Sequence, residues 1–283
     1  MSYNERALAF ECSGECLYGV VSVPDQPAER GVLIVVGGPQ YRVGSHRQFT
    51  LLARSLAEQG IAAMRFDYRG MGDSHGAART FEDVQHDLRA AIDQFTSAVP
   101  QVRDVVIWGL CDAASAALFY AADDARVSGL VLLNPWVRTV DGHAKATIKH
   151  YYRDRLFSAG LWKKIFSGQF DFAAAAGSFV RLARAARGGG KREAAATPSD
   201  APLPDRMLAG WSQFRGKVLL ILSGADLTAK EFADVAGASD AWQRQLNAAR
   251  VTRHALASAD HTFSRREWRD QVANWTSEWV RSW

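Results

Sequence analysis

Three cysteines in a chain of 283 residues are too few for a disulfide framework. Cys12 and Cys16 flank Ser13-Gly14-Glu15 and are expected to stay reduced on a hairpin. No cysteines and histidines stand at zinc-site spacing, and no pattern calls for a metal or another cofactor. No apolar run approaches the roughly 18 residues of a membrane span. Residues Met1 to Phe10 lack a long apolar region behind a basic start, so a secretory signal is not expected and the expected compartment is the cytoplasm. Strong charge of one sign is also missing. The formal net charge is +4, which gives no reason to expect a nucleic-acid partner.

What is present fits a globular protein, with 48% apolar and 23% charged residues. Such a chain can bury one large α/β core, with or without an insertion. The positive charge is concentrated. Between Arg138 and Arg215 there are 14 Lys or Arg against 6 Asp or Glu, a local net of +8 within a total of +4. That asymmetry suits an acidic carrier or an anionic membrane surface, although a solvated helix face gives the same composition.

Apolar runs and helical patterns alternate along the chain. Residues 5 to 23 read as two strands around Ser13-Gly14, and Gly31 to Val36 reads as a strand buried on both faces. Gln48 to Gln59 has helical spacing at Phe49, Leu52, Ala53 and Leu56 and ends at Gly60. Ile61 to Phe66 is a strand, and Thr80 to Ser97 is an amphipathic helix with Thr80 as the expected N-cap. Strand-and-helix alternation of this kind predicts a mostly parallel sheet with helices on both faces and its functional loops at the strand C-termini.

The sharpest signal is Val105 to Leu118, where the apolar run Val-Val-Ile-Trp breaks at Gly109-Leu110-Cys111-Asp112-Ala113 and resumes as an alanine-rich helix. A strand, a tight turn and a helix lift one side chain above the sheet, and small residues on either side let the backbone pass. The common form of this turn is Gly-x-Ser-x-Gly; here Cys111 takes the serine position. Two later strand ends supply an acid and a base in the matching chain order. Asp226 follows the run Lys217 to Leu222, with Glu231 as the fallback acid, and His261 lies in the loop before the last helix. His46, His75 and His143 also fall near expected loops but lack that position.

The motif Asp67-x-Arg69-Gly70-x-Gly72-x-Ser74, together with Gly109-x-Cys111-x-Ala113, resembles the α/β-hydrolase superfamily. In that superfamily the first motif is a structural loop, which implies that Asp67 and Arg69 are scaffold. More narrowly, the stretches from Gly37 to Arg47, Phe66 to Asp73 and Gly109 to Ala113 resemble the exosortase A system-associated hydrolase 1 family. The resemblance implies a bacterial setting linked to exosortase and exopolysaccharide machinery. From about Val137 to Arg206 the pattern becomes helical and basic, which reads as an inserted helical cap, residues 137–206, within an α/β-hydrolase core of residues 1–136 and 207–283.

The expected chemistry follows from these positions. Cys111 attacks an ester or thioester carbonyl, His261 handles the proton, and Asp226 holds the histidine. A helix N-terminus and a neighbouring imidazolium both favour a cysteine thiolate. The backbone N–H of Asp112 and that of Gly38 or Gln40, with Gly38 preferred, would stabilise the tetrahedral oxyanion; Pro39 has no N–H. Gln40, Trp136, Tyr152 and Trp162 are candidates for the substrate pocket. Amides suit a thiolate poorly, so a peptidase ranks low. An acyltransferase using the same acyl-cysteine, or a non-catalytic binding protein on the same scaffold, is the alternative. If the basic cap recognises an acidic carrier or membrane, replacing Lys163 and Lys164 by Glu will weaken that recognition and flatten its salt dependence. Kinetics unchanged over a salt series would remove the idea.

Overall fold

The computed structural model describes residues 2–38, 40–137 and 201–283. Eight strands form one sheet: β1 (Tyr3–Cys12), β2 (Glu15–Pro24), β3 (Arg30–Val35), β4 (Ala63–Asp67), β5 (Asp104–Leu110), β6 (Val127–Leu133), β7 (Lys217–Ser223) and β8 (Val251–Leu256). Their order is β1-β2-β4-β3-β5-β6-β7-β8. The β1–β2 hairpin is antiparallel and joins the sheet antiparallel to β4; every other pairing is parallel.

The burial pattern explains this arrangement. In β3, β5 and β6 the residues Val32 to Val35, Val105 to Trp108 and Leu130 to Leu133 are all buried, as continuous apolar runs in parallel strands must be when helices cover both faces. Helices α1 (Gln48–Glu58) and α7 (Arg266–Arg281) pack together on one face. On the other face, α2 (Gln85–Ala98) and α4 (Leu203–Gln213) each pack against α3 (Asp112–Tyr120). Helices α5 (Leu227–Gly237) and α6 (Asp240–Leu246) follow β7. β8 alternates between half-buried and exposed positions, as an edge strand does. Among the described residues no helix is long and apolar enough to cross a membrane.

The helix expected from Thr80 begins instead at Gln85, without a side-chain cap. Tertiary contacts claim the intervening residues. Phe81 stacks on Phe119 of α3, and Glu82 pairs with Arg206 of α4. The first turn of α2 then delivers Asp87 to Arg69, which donates from Nε at 2.9 Å, from its terminal nitrogen at 2.8 Å and from its backbone N–H at 2.8 Å. Asp87 is fully buried and Arg69 nearly so.

The neighbouring Asp67 is also fully buried and accepts from Arg42 through its backbone N–H at 2.6 Å and its guanidinium. Ser74 Oγ donates to the Asp67 carbonyl at 2.6 Å and accepts from Tyr18 N–H at 2.9 Å. The loop read as scaffold therefore ties β4 to β2 and α2. Cys12 and Cys16 are free thiols, as expected.

Most of the expected cap, including Tyr152, Trp162, Lys163 and Lys164, lies outside the described residues, as does His143. Helix α4 runs across the 206/207 division drawn from the sequence.

The Arg69–Asp87 pair predicts a clear contrast. Asp87→Ala strands a buried guanidinium and should lower stability by about 3–5 kcal/mol. Asp83→Ala removes only an exposed partner of Arg79 and should stay within about 1 kcal/mol. Urea midpoints measure both, and equal shifts would show that the buried pair does not anchor the loop.

Candidate active site

One residue separates the end of β5 at Leu110 from the start of α3 at Asp112. Cys111 makes that turn with φ 65° and ψ −125°, a conformation that strains a residue bearing a Cβ by about 1–3 kcal/mol. Its neighbours hold it there. Cys111 N–H donates to the Leu133 carbonyl at 2.9 Å, and its carbonyl accepts from Ala114 N–H at 3.1 Å and Trp136 N–H at 3.2 Å. Ser115 Oγ closes the ring by donating to the Trp136 carbonyl at 2.7 Å. A Cβ on Gly109 would stand 2.7 Å from the Ala113 carbonyl, so only glycine lets α3 turn this closely over β5.

The two other expected residues meet Cys111 from later strand ends. Asp226 is the N-cap of α5, and its carboxylate accepts from Thr228 N–H at 3.2 Å and Ala229 N–H at 3.0 Å. The same carboxylate bonds His261 Nδ1 at 2.9 Å. Cys111 acts on the same ring and, with Asp226, raises its pKa. The helix cap fixes the acid, and the acid fixes the ring.

Electrostatics follow the same contacts. Burial alone would lower the His261 pKa, but its bond to Asp226 and the influence of Cys111 prevail and push it from the ordinary 6.5 up to about 10. For Asp226 burial works upward, and His261 with the two cap N–H groups brings it below the usual carboxylate value. These contacts favour the protonated ring of His261.

Asn134 is the residue that sequence reading missed. It follows β6 at φ 43°, fully buried, and its side-chain amide donates to Ser223 Oγ at 2.8 Å and to the His261 carbonyl at 3.0 Å. Its Oδ1 accepts from Ser223 N–H at 2.9 Å. Asn134 thus staples the ends of β6 and β7 to the histidine loop. The available signal was an asparagine closing a buried strand, a residue tolerant of positive φ.

The remaining candidates divide. Gly38 N–H points at the Asp112 side chain, with Oδ1 at 2.8 Å and Oδ2 at 2.9 Å. The Gln40 side chain is used within its own loop, where Oε1 accepts from Ser45 N–H at 3.2 Å. Trp136 lies beside Cys111 through its backbone bond. Asp260 turns away from His261 to accept from Ser264 N–H at 2.9 Å. His46 and His75 are exposed, and Glu231 is buried on α5.

Comparison with known proteins fits this geometry. The family model described as serine aminopeptidase, S33, matches residues 27–162, a stretch that includes Cys111. The chain is 25% identical over 114 residues to polyketide transferase grgF of Penicillium sp, covering 39% of this chain and 38% of that one. It is 30% identical over 111 residues to polyketide transferase claH of Penicillium crustosum, covering 38% and 36%. The matches therefore span under two fifths of either relative. Among solved structures, the Pyrococcus furiosus esterase Pf2001 aligns with a TM-score of 0.66 at 16% identity, over 100% of this chain and 93% of that one. Strand order, elbow and structural likeness agree: the chain has the α/β-hydrolase fold.

Proposed function

We propose that the chain is an acyl ester or thioester hydrolase that works through an acyl-Cys111 intermediate, with His261 as proton carrier and Asp226 as its orienting partner. The observation that carries this reading is the strained Cys111 turn together with His261, whose Nδ1 is held at 2.9 Å by the carboxylate that caps α5. A pure binding surface has no use for that combination. The likeness to an esterase supports the reaction class, and the setting goes with the exosortase-associated, cytoplasmic reading of the sequence.

In the proposed reaction the Cys111 thiolate forms a bond from Sγ to the acyl carbon, and the carbonyl electron pair moves onto oxygen. Collapse of the tetrahedral intermediate breaks the bond to the leaving alkoxide or thiolate, which takes the proton from His261 Nε2. Neutral His261 then removes a proton from water, whose oxygen attacks the acyl carbon, and Sγ leaves as the acid forms. Asp226 stays ionised throughout and stabilises the imidazolium. A thioester suits this route because its leaving group is itself a good thiolate.

Transfer of the acyl group to an alcohol instead of water is the second reading. It is favoured by the two relatives described as polyketide transferases. The two readings share every step up to the acyl-enzyme.

Intact mass after mixing with p-nitrophenyl octanoate and with a long-chain acyl thioester tests the shared step. One acyl mass should appear on Cys111, be absent in Cys111→Ala, and decay faster with added alcohol if transfer dominates. No adduct and no turnover on either substrate would overturn the reading.

The pH dependence has a definite sign. Because the folded-state value of His261 lies above its ordinary one, its contribution to stability is full below about pH 6.5 and is lost as pH rises to about 10. kcat/KM should fall over that upper limb, near pH 10, as the imidazolium is lost. Asp226→Asn removes a main cause of the rise, so its alkaline limb should move to lower pH. A limb that stays in place in Asp226→Asn would separate it from His261.

A further inference from the structure

The Gly38 N–H, one of the two groups expected to bind the substrate oxyanion, is already occupied. It donates to both oxygens of the Asp112 carboxylate, at 2.8 and 2.9 Å, and the backbone N–H groups of Asp112 and Ala113 also favour the charged carboxylate. A carboxylate carries a single negative charge spread over two oxygens, which is close to what a tetrahedral oxyanion presents to such donors. The neighbouring loop is shaped for it. A Cβ on Gly37 would stand 2.2 Å from Asp112 Oδ1, so glycine at that position makes the room the carboxylate fills.

We propose that the Asp112 carboxylate is an internal stand-in for the oxyanion, one that a substrate carbonyl must displace before Cys111 can be acylated. The inference rests on the acyl-Cys111 reading and deepens it by naming what selects the substrate. Displacement of a bound charge opposes every acyl group equally. Only acyl groups with enough apolar surface to bury elsewhere offset it, so long neutral chains should react well and acetyl poorly. Acyl groups with an anion close to the carbonyl should be rejected, because they meet the carboxylate as it leaves.

The surroundings make the carboxylate displaceable. Burial raises the Asp112 pKa, against the pull of the N–H groups and of His261, so the charge is held at a cost in hydration. Tyr68, whose hydroxyl pKa is driven up by burial and then by the Asp112 charge, and His261 are both coupled to this carboxylate, with Cys111 adjacent in the chain. Tyr68 brings no positive charge to hold the carboxylate in place.

Two readouts on the parent, Asp112→Ala and Asp112→Asn test this. The first is the Gly38 amide by nitrogen-15 NMR. Loss of its carboxylate partner in Asp112→Ala should move the amide proton upfield and speed its exchange. An unchanged Gly38 amide would overturn the proposal, whatever the chemistry does.

The second is the ratio of Cys111 acylation by p-nitrophenyl acetate to Cys111 alkylation by chloroacetamide, both followed by intact mass. Alkylation needs no oxyanion site, so it reports the sulfur alone. The ratio should rise by at least about tenfold in Asp112→Ala. Asp112→Asn should fall between, because its amide oxygen still accepts one N–H. A ratio that is constant or falls would overturn the proposal; both rates rising together would assign Asp112 to the charge balance of Cys111 and His261. Failure of alkylation at Cys111 in all three proteins would sink the nucleophile reading separately, while the Gly38 amide still decides whether the carboxylate occupies the site.

Discussion

The backbone of Cys111 holds a conformation that a residue with a Cβ adopts only under constraint, at φ 65° between β5 and α3. The constraint comes from three directions. Gly109 lets α3 pass within van der Waals contact of β5, the Leu133 carbonyl at the end of β6 takes the Cys111 N–H, and Trp136 N–H takes its carbonyl. The sheet order matters here, because β6 is the direct neighbour of β5: its last residue supplies the first bond and the segment that follows it supplies the second. Strain of this size persists only where the surrounding core over-determines it. The buried parallel strands are that core.

Charge is organised around the same point. Asp226 serves twice with one carboxylate, as the cap of α5 and as the partner of His261. The cap bonds already restrict the carboxylate, so the ring meets an oriented anion at little further cost in side-chain freedom. Asn134 adds a neutral brace by gripping the His261 carbonyl and the end of β7. Cys111, Asn134, Asp226 and His261 thus follow four consecutive strands of the sheet, β5 to β8, whose ends are joined by hydrogen bonds. None of these groups depends on an exposed loop contact alone.

The positions of the Cys111 turn, Asp226 and His261 at strand ends could be read from the chain because each is a local event at the end of an apolar run. Gly109 and Ala113 announce the turn, and Asp226 and His261 follow runs that can only be late strands. The Asp67 to Ser74 loop was legible for the same reason. What escaped depends on partners distant in sequence. The start of α2 moves to Gln85 because Phe81, Glu82 and Asp87 are claimed by Phe119, Arg206 and Arg69. Asn134 reads as a strand breaker until Ser223 and His261 stand beside it. The direction of the Asp112 side chain is set by Gly37 and Gly38, some seventy residues earlier. Tyr152 and Trp162, read as pocket residues, fall outside the described residues.

The central claim is that the turn and His261 together make Cys111 a nucleophile, unlike the two other free cysteines. Its most direct test is the rate of iodoacetamide alkylation at each cysteine near neutral pH, located by peptide mapping, in the parent and in His261→Gln. The account predicts that Cys111 reacts well ahead of Cys12 and Cys16 and loses that lead in His261→Gln. Comparable rates at Cys111 and the half-buried Cys16, or a Cys111 rate that ignores the loss of His261, would contradict it.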